Sequence, residues 1–182
     1  MQSYPWYELV SGSSILQGDF IDRCTVIVPC RDTDIPASEG IPKLKAGITE
    51  YNVIVMSQSC DIEQGKVDLV LVSPSWPLEK LGEKNSVFKS PKEFLKWKNE
   101  LRKGNALGYH LLNKCELEGV ERNYMVVDFR NVYSLPLEFL KVLADKADKR
   151  IRLLPPYREH LSQAFARFFM RVGLPADIPP FS

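Results

Sequence analysis

The chain has 182 residues, 45% apolar and 26% charged, with 24 basic residues against 23 acidic ones and a net charge of +1. That length fits one domain with a core of its own, and the composition excludes long disorder, collagen-like repeats and a disulfide-stapled miniature. A total so near zero excludes a uniformly basic nucleic-acid-coating protein and shifts attention to how the charge is distributed.

No apolar run approaches the ~18 residues that cross a bilayer. Tyr4, Pro5, Trp6, Tyr7 and Glu8 lack the basic-then-apolar layout of a signal peptide, so a cytoplasmic protein that does not engage membranes is expected. Gly18 and Asp19 open a first strand that runs through Phe20 to the β-branched series Thr25, Val26, Ile27 and Val28. Pro36, Gly40, Pro42 and Gly47 then mark 31–50 as a long loop. A second strand, Tyr51 to Met56, is apolar almost throughout, which predicts that both of its faces are covered. It ends in the small and polar run Ser57, Gln58, Ser59, Cys60 and Asp61. Gly65 turns the chain into a third strand, Val67 to Val72, closed by Ser73 and Pro74 and antiparallel to the second.

Ser90, Pro91 and Glu93 agree on a helix start: an N-cap, a first-turn proline and a capping-box glutamate. The helix is expected to end at Gly104, with Phe94, Trp97 and Leu101 as its apolar stripe. Strands follow at Tyr109 to Leu112 and Tyr124 to Tyr133, then a short helix from Leu137 to Lys146 and an extended segment from Ile151 to Leu154. In the last helix Leu161, Phe165, Phe168, Phe169 and Val172 share a face, and Gly173 and Pro175 end it. These elements predict a mixed β/α fold in a single domain over 1–182, a small, mostly antiparallel β-barrel with helices outside. Residues 16–77 and 105–134 supply the barrel strands, 78–104 a basic helical insertion and 137–182 a C-terminal helical part.

The four cysteines, Cys24, Cys30, Cys60 and Cys115, form no CxxC pair and no regular spacing with the two histidines, His110 and His160. No metal site is expected, and in a reducing cytosol free thiols are favoured over disulfides. Cys60 and Asp61 sit where a buried strand emerges. A nucleophilic cysteine there needs a base, for which His110 is available, whereas a small packed thiol beside a turn-capping Asp61 explains the same residues. Between Lys80 and Lys103 stand eight basic residues and three acidic ones, a local +5 that leaves −4 for the rest. Lys92, Lys96, Arg102 and Lys103 are therefore candidate phosphate contacts, with Trp97 either a stacking surface among them or part of the core. Asp128 and Arg130 alternate on one strand and either line a groove or form an exposed polar face. On the terminal helix Glu159, Gln163, Arg167 and Arg171 read as its polar side.

Gly18 with Asp19, the strand Asn52 to Ser57, the strand Val70 to Trp76 with its Ser-Pro, and the closing Gly173-Leu174 pair together resemble the layout of the PemK/MazF (Kid) toxin superfamily. The resemblance is one of order along the chain, and it implies an SH3-like barrel. It further implies a homodimeric endoribonuclease that cuts single-stranded RNA without a metal or other cofactor in a toxin–antitoxin or defence setting, held by an antitoxin-like protein partner. Where the family commonly has Arg-Pro entering the central strand, this chain has Glu50 and Tyr51, and Ser75 follows Pro74 by one position where the family's hydroxyl follows by two. Under this reading Arg23 is the candidate cation and His110 the general base, with Asp19, Asp61 and Ser75 orienting. Two other classes compete: a non-catalytic barrel that binds a protein partner through its terminal helix or the 31–50 loop, and a cysteine hydrolase using Cys60.

Overall fold

The computed structural model describes residues 4–30, 44–84, 88 and 90–170. The chain order is β1 (Tyr7–Val10), β2 (Phe20–Pro29), β3 (Ala46–Val55), α1 (Ser59–Glu63), β4 (Leu69–Pro77), α2 (Leu78–Lys84), α3 (Pro91–Arg102), β5 (Tyr109–Leu112), β6 (Met125–Asp128), β7 (Tyr133–Pro136), α4 (Leu137–Lys146), β8 (Arg150–Leu153) and α5 (Tyr157–Phe169). One sheet has the antiparallel order β2-β3-β4-β6-β5, with β7 paired to β4, and β1 and β8 form a two-stranded sheet. The fold is thus mixed α/β with antiparallel strands. Among the described residues the sheet order runs from β2 to β5 without closing into a barrel.

Alternation along the strands splits the apolar side chains between two faces. Phe20, Ile54, Leu112, Val127 and Phe129 pack with Leu153 of β8 and Leu161 of α5. Ile21, Val53, Val55, Val70 and Val72 point the other way, against Leu140 and Ala144 of α4. Both faces of β3 are covered at its C-terminal half, as its almost unbroken apolar run predicts; each of the fully buried Val53, Ile54 and Val55 contributes roughly 1.5–3 kcal/mol. A third, smaller cluster sets Leu101 and Trp97 of α3 on Val126 and Tyr109.

The start of α3 follows its caps: Ser90 accepts from the Glu93 amide at 3.3 Å, and Gly104, at φ 74°, terminates the turn beyond it. Several boundaries differ from the sequence reading. The single strand expected over Tyr124 to Tyr133 divides into β6, which ends at Asp128, and β7, which starts at Tyr133. Residues 46–50 belong to β3 instead of a loop, because Thr25 to Pro29 of β2 supplies a ladder for Ala46 to Glu50. Residues 31–43 of the expected loop lie outside the described residues. Ser59, Cys60 and Asp61 open the short helix α1 instead of continuing a loop. β4 runs on through Pro74 to Pro77. On its outer side β7 pairs with Leu69 to Val72 and β6 with Ser75 to Pro77, so Pro74 falls in the gap between two partners, where its missing N–H costs no ladder bond. α5 ends at Phe169; Val172, Gly173 and Pro175 lie outside the described residues. No helix among the described residues is long and apolar enough to cross a membrane.

Candidate active site

The Gly-Asp entry to β2 is architectural. Gly18 has φ 87°, and a Cβ there would meet the Leu153 Cβ at 3.0 Å and its carbonyl oxygen at 3.1 Å, so only glycine lets β8 lie this close. Asp19 is fully buried and accepts from Arg150 Nε at 3.2 Å, Arg152 Nη2 at 2.9 Å and Arg152 Nε. Arg150, also buried, donates to the carbonyls of Gly12 and Ser14. Asp19 therefore fastens β8 to β2 and is not available to orient a substrate.

The remaining sequence-derived site residues scatter. Arg23 stands on a bulge in β2 at φ 50°, its side chain exposed and paired with Glu50 at 3.2 Å. Its cation is thus opposed by the glutamate that replaces the expected Arg-Pro entry. Ser75 is buried in β4, its hydroxyl donating to the Asn52 carbonyl at 3.4 Å. Cys60 is exposed on α1, its thiol donating to the Asp61 carboxylate at 3.8 Å, and Asp61 also faces Lys66 at 4.0 Å. Cys60 lines a cavity of about 630 Å³ with Gln17, Glu63, Arg158 and Ser162, whereas His110 lines different ones. All four cysteines are free thiols; burial pushes the Cys24 thiol up to about 11. No group of three or more His, Cys, Asp or Glu gathers as a metal-ligand set among the described residues.

His110 finds a different partner. β5 is the edge strand of the large sheet, and α3 and α5 flank it. His110 projects from β5 into a cavity of about 260 Å³ that is also lined by His160, Gln163 and Arg167 of α5 and by Leu101 and Leu107. The two histidines of the chain, fifty residues apart, share one pocket. His110 is half-buried and its ring stacks toward Phe129 at 6.3 Å. Its pKa is held down to about 4, chiefly by burial and further by the charge of His160. At neutral pH His110 is therefore an uncharged imidazole. His160 and Arg167 are exposed on α5. Gln163 and Arg167 belong to the polar side expected of the last helix, and His160 recurs with them at helical offsets of three and seven.

A larger groove of about 730 Å³ adjoins this pocket, and Leu107 and Tyr109 line both. Trp97 meets the Tyr109 ring edge-on at 5.4 Å and lies near Phe94 and Phe88. It thus packs on the small cluster around Val126 and also lines the groove. Asp128 is buried and accepts from Arg130 Nε and Nη2, both at 2.9 Å. The Arg130 guanidinium lies 4.3 Å from the Tyr109 ring centroid. Of the four proposed phosphate contacts, all exposed on or just beyond α3, Lys96 lines this groove, Arg102 lines a smaller cavity beside Trp6, and Lys103 pairs with Glu100 at 3.4 Å. Comparison with protein-family models, with curated proteins and with solved structures gives no match.

Proposed function

We propose that this chain is a divergent PemK/MazF-like protein on an SH3-like scaffold, one that binds single-stranded RNA and cuts it without a metal at the His110–His160 pocket. The observation that carries the reading is the meeting of the two histidines with Arg167 in one pocket. Neutral His110 takes the proton of a ribose 2′-hydroxyl, whose oxygen attacks the adjacent phosphorus. The bond from phosphorus to the 5′-oxygen breaks as the second imidazole, that of His160, gives a proton to that oxygen. The products are a 2′,3′-cyclic phosphate and a 5′-hydroxyl, and solvent exchange resets both rings. Arg167 is placed to offset charge gathering on the phosphorane, the role first given to Arg23.

The test is a synthetic single-stranded RNA incubated with purified protein in a chelator. Cleavage leaving cyclic phosphate ends, abolished when the ribose before the cut is 2′-deoxy, is the expected result. No cleavage by folded protein across varied sequences overturns the reading.

A second reading, a non-catalytic module that binds a protein partner, is favoured by one observation. Ile27 and Ile48 are cross-strand partners on the β2–β3 ribbon and are 68% and 76% exposed. It requires that I27E abolish association with a co-expressed partner or a second copy while histidine variants change nothing.

A further inference from the structure

We propose that the groove between α3 and β5 is a nucleobase subsite, in which one base of single-stranded RNA stacks on the guanidinium plane of Arg130 beside Trp97. The inference rests on the RNA-cleaving reading of the adjoining histidine pocket and names how that pocket would hold its substrate. Three observations build it. First, Arg130 is fixed as a plane before any ligand arrives: buried Asp128 grips it through two bonds at 2.9 Å, and the Tyr109 ring lies under it at 4.3 Å. More than half of its side chain remains in solvent, at 54%. An exposed arginine ordinarily loses rotamer freedom when it binds; this one has already lost it.

Second, Asp128 cancels the Arg130 charge, and Lys96 shares the groove lining with Glu93 and Glu100 of the same helix. A groove lined by aromatic rings and balanced charge suits an uncharged, planar, polarisable ligand better than a phosphate, and guanidinium planes and aromatic rings are the surfaces on which unstacked bases rest. Third, Gly108 makes room for that plane. A Cβ at Gly108 would stand 3.2 Å from the Arg130 Cγ and 3.3 Å from its Cδ, so a side chain there would press the arginine stem out of its present position. Leu107 and Tyr109 form the shared wall with the histidine pocket, so a base here sits next to the backbone held at His110 and His160.

The experiment measures binding of a fluorescent, 2′-O-methyl, single-stranded hexanucleotide that cannot be cut, across a range of salt. R130K keeps the charge and loses the plane; R130A loses both. Both variants are expected to weaken binding about ten-fold with the salt slope unchanged, since stacking releases no counterions. G108A is expected to weaken it in the same way, and an abasic site in the oligonucleotide to abolish the difference between wild type and R130K. Full affinity in R130K, a reduced salt slope in R130A, or no binding by the wild type overturns the proposal. The two readings fail separately: base-dependent binding without cleavage of ordinary RNA leaves the subsite and removes the catalyst, whereas histidine-dependent cleavage with unchanged R130K affinity does the opposite.

Discussion

Replacing Asp19 with asparagine tests whether the Gly-Asp entry is structural. The substitution conserves shape, and the retained carbonyl oxygen can still accept from the Leu16 amide, now 3.2 Å from Oδ2. It removes a carboxylate that faces both Arg150 and Arg152, whose side chains are 3% and 12% exposed, and turns an amide donor toward a guanidinium. Stripping one partner from a buried ion pair costs about 3–5 kcal/mol. Arg152 also has Glu8 at 3.9 Å, but among the described residues Arg150 has only the carbonyls of Gly12 and Ser14 besides Asp19, which places the cost toward the middle of that range. With a urea slope of about 2 kcal/mol per molar, the unfolding midpoint of D19N falls by about 2 M. R150K, which cannot fork to Asp19 and both carbonyls at once, falls by about 1 M, at about 2 kcal/mol for lost charged hydrogen bonds. A D19N midpoint within roughly 0.5 M of wild type, on that same slope, would refute the claim that this cluster holds β8 to β2.

Stability should also depend on pH through His110. Its folded pKa of about 4 lies below the ordinary 6.5, so between these values the unfolded chain takes a proton that the folded one refuses. Stability is complete above pH 6.5 and falls as pH drops toward 4, by up to about 3 kcal/mol. His160 and Arg167 face the same pocket from α5, and the charge of His160 opposes one on His110, so H110Q, which cannot titrate, should flatten the curve in that window relative to wild type. An unchanged curve would place His110 in water. Arg23 and Ser75 supply the opposite kind of prediction. R23A removes an exposed pair worth less than about 0.5 kcal/mol, and S75A one long hydrogen bond worth about 1 kcal/mol; RNA cleavage should survive both. Loss of cleavage in either folded variant would move the site to the β2–β4 face.

Local signals were legible in the sequence. Ser90, Pro91 and Glu93 fix a helix start by bonds within one turn, and β5 runs over Tyr109–Leu112 as its pattern predicts. What depends on a distant partner was not. Ala46 to Glu50 holds Gly47, which argues for a loop, and becomes strand only because β2 offers a ladder. Pro74 looks like a strand end until the gap between β7 and β6 accounts for it. Asp19 reads as a free carboxylate because Arg150 and Arg152 arrive more than a hundred residues later. The candidate site follows the same rule: His110 could be picked out as a base, but its pairing with His160 is created by α5 packing across the edge of β5. The aromatic groove was half visible, since Trp97 and Arg130 were each noted, while the Tyr109 ring reaches Arg130 only because β5 pairs Tyr109 with Asp128 of β6.

The most direct measurement is the rate at which wild type, H110Q, H160Q and the double variant cleave one single-stranded RNA in the presence of chelator. An acid–base pair predicts that each single variant falls about 10²–10⁴-fold with circular dichroism and hexanucleotide affinity intact, and that the double variant falls little further. Undiminished cleavage by H160Q in folded protein would contradict the pocket as the site of chemistry.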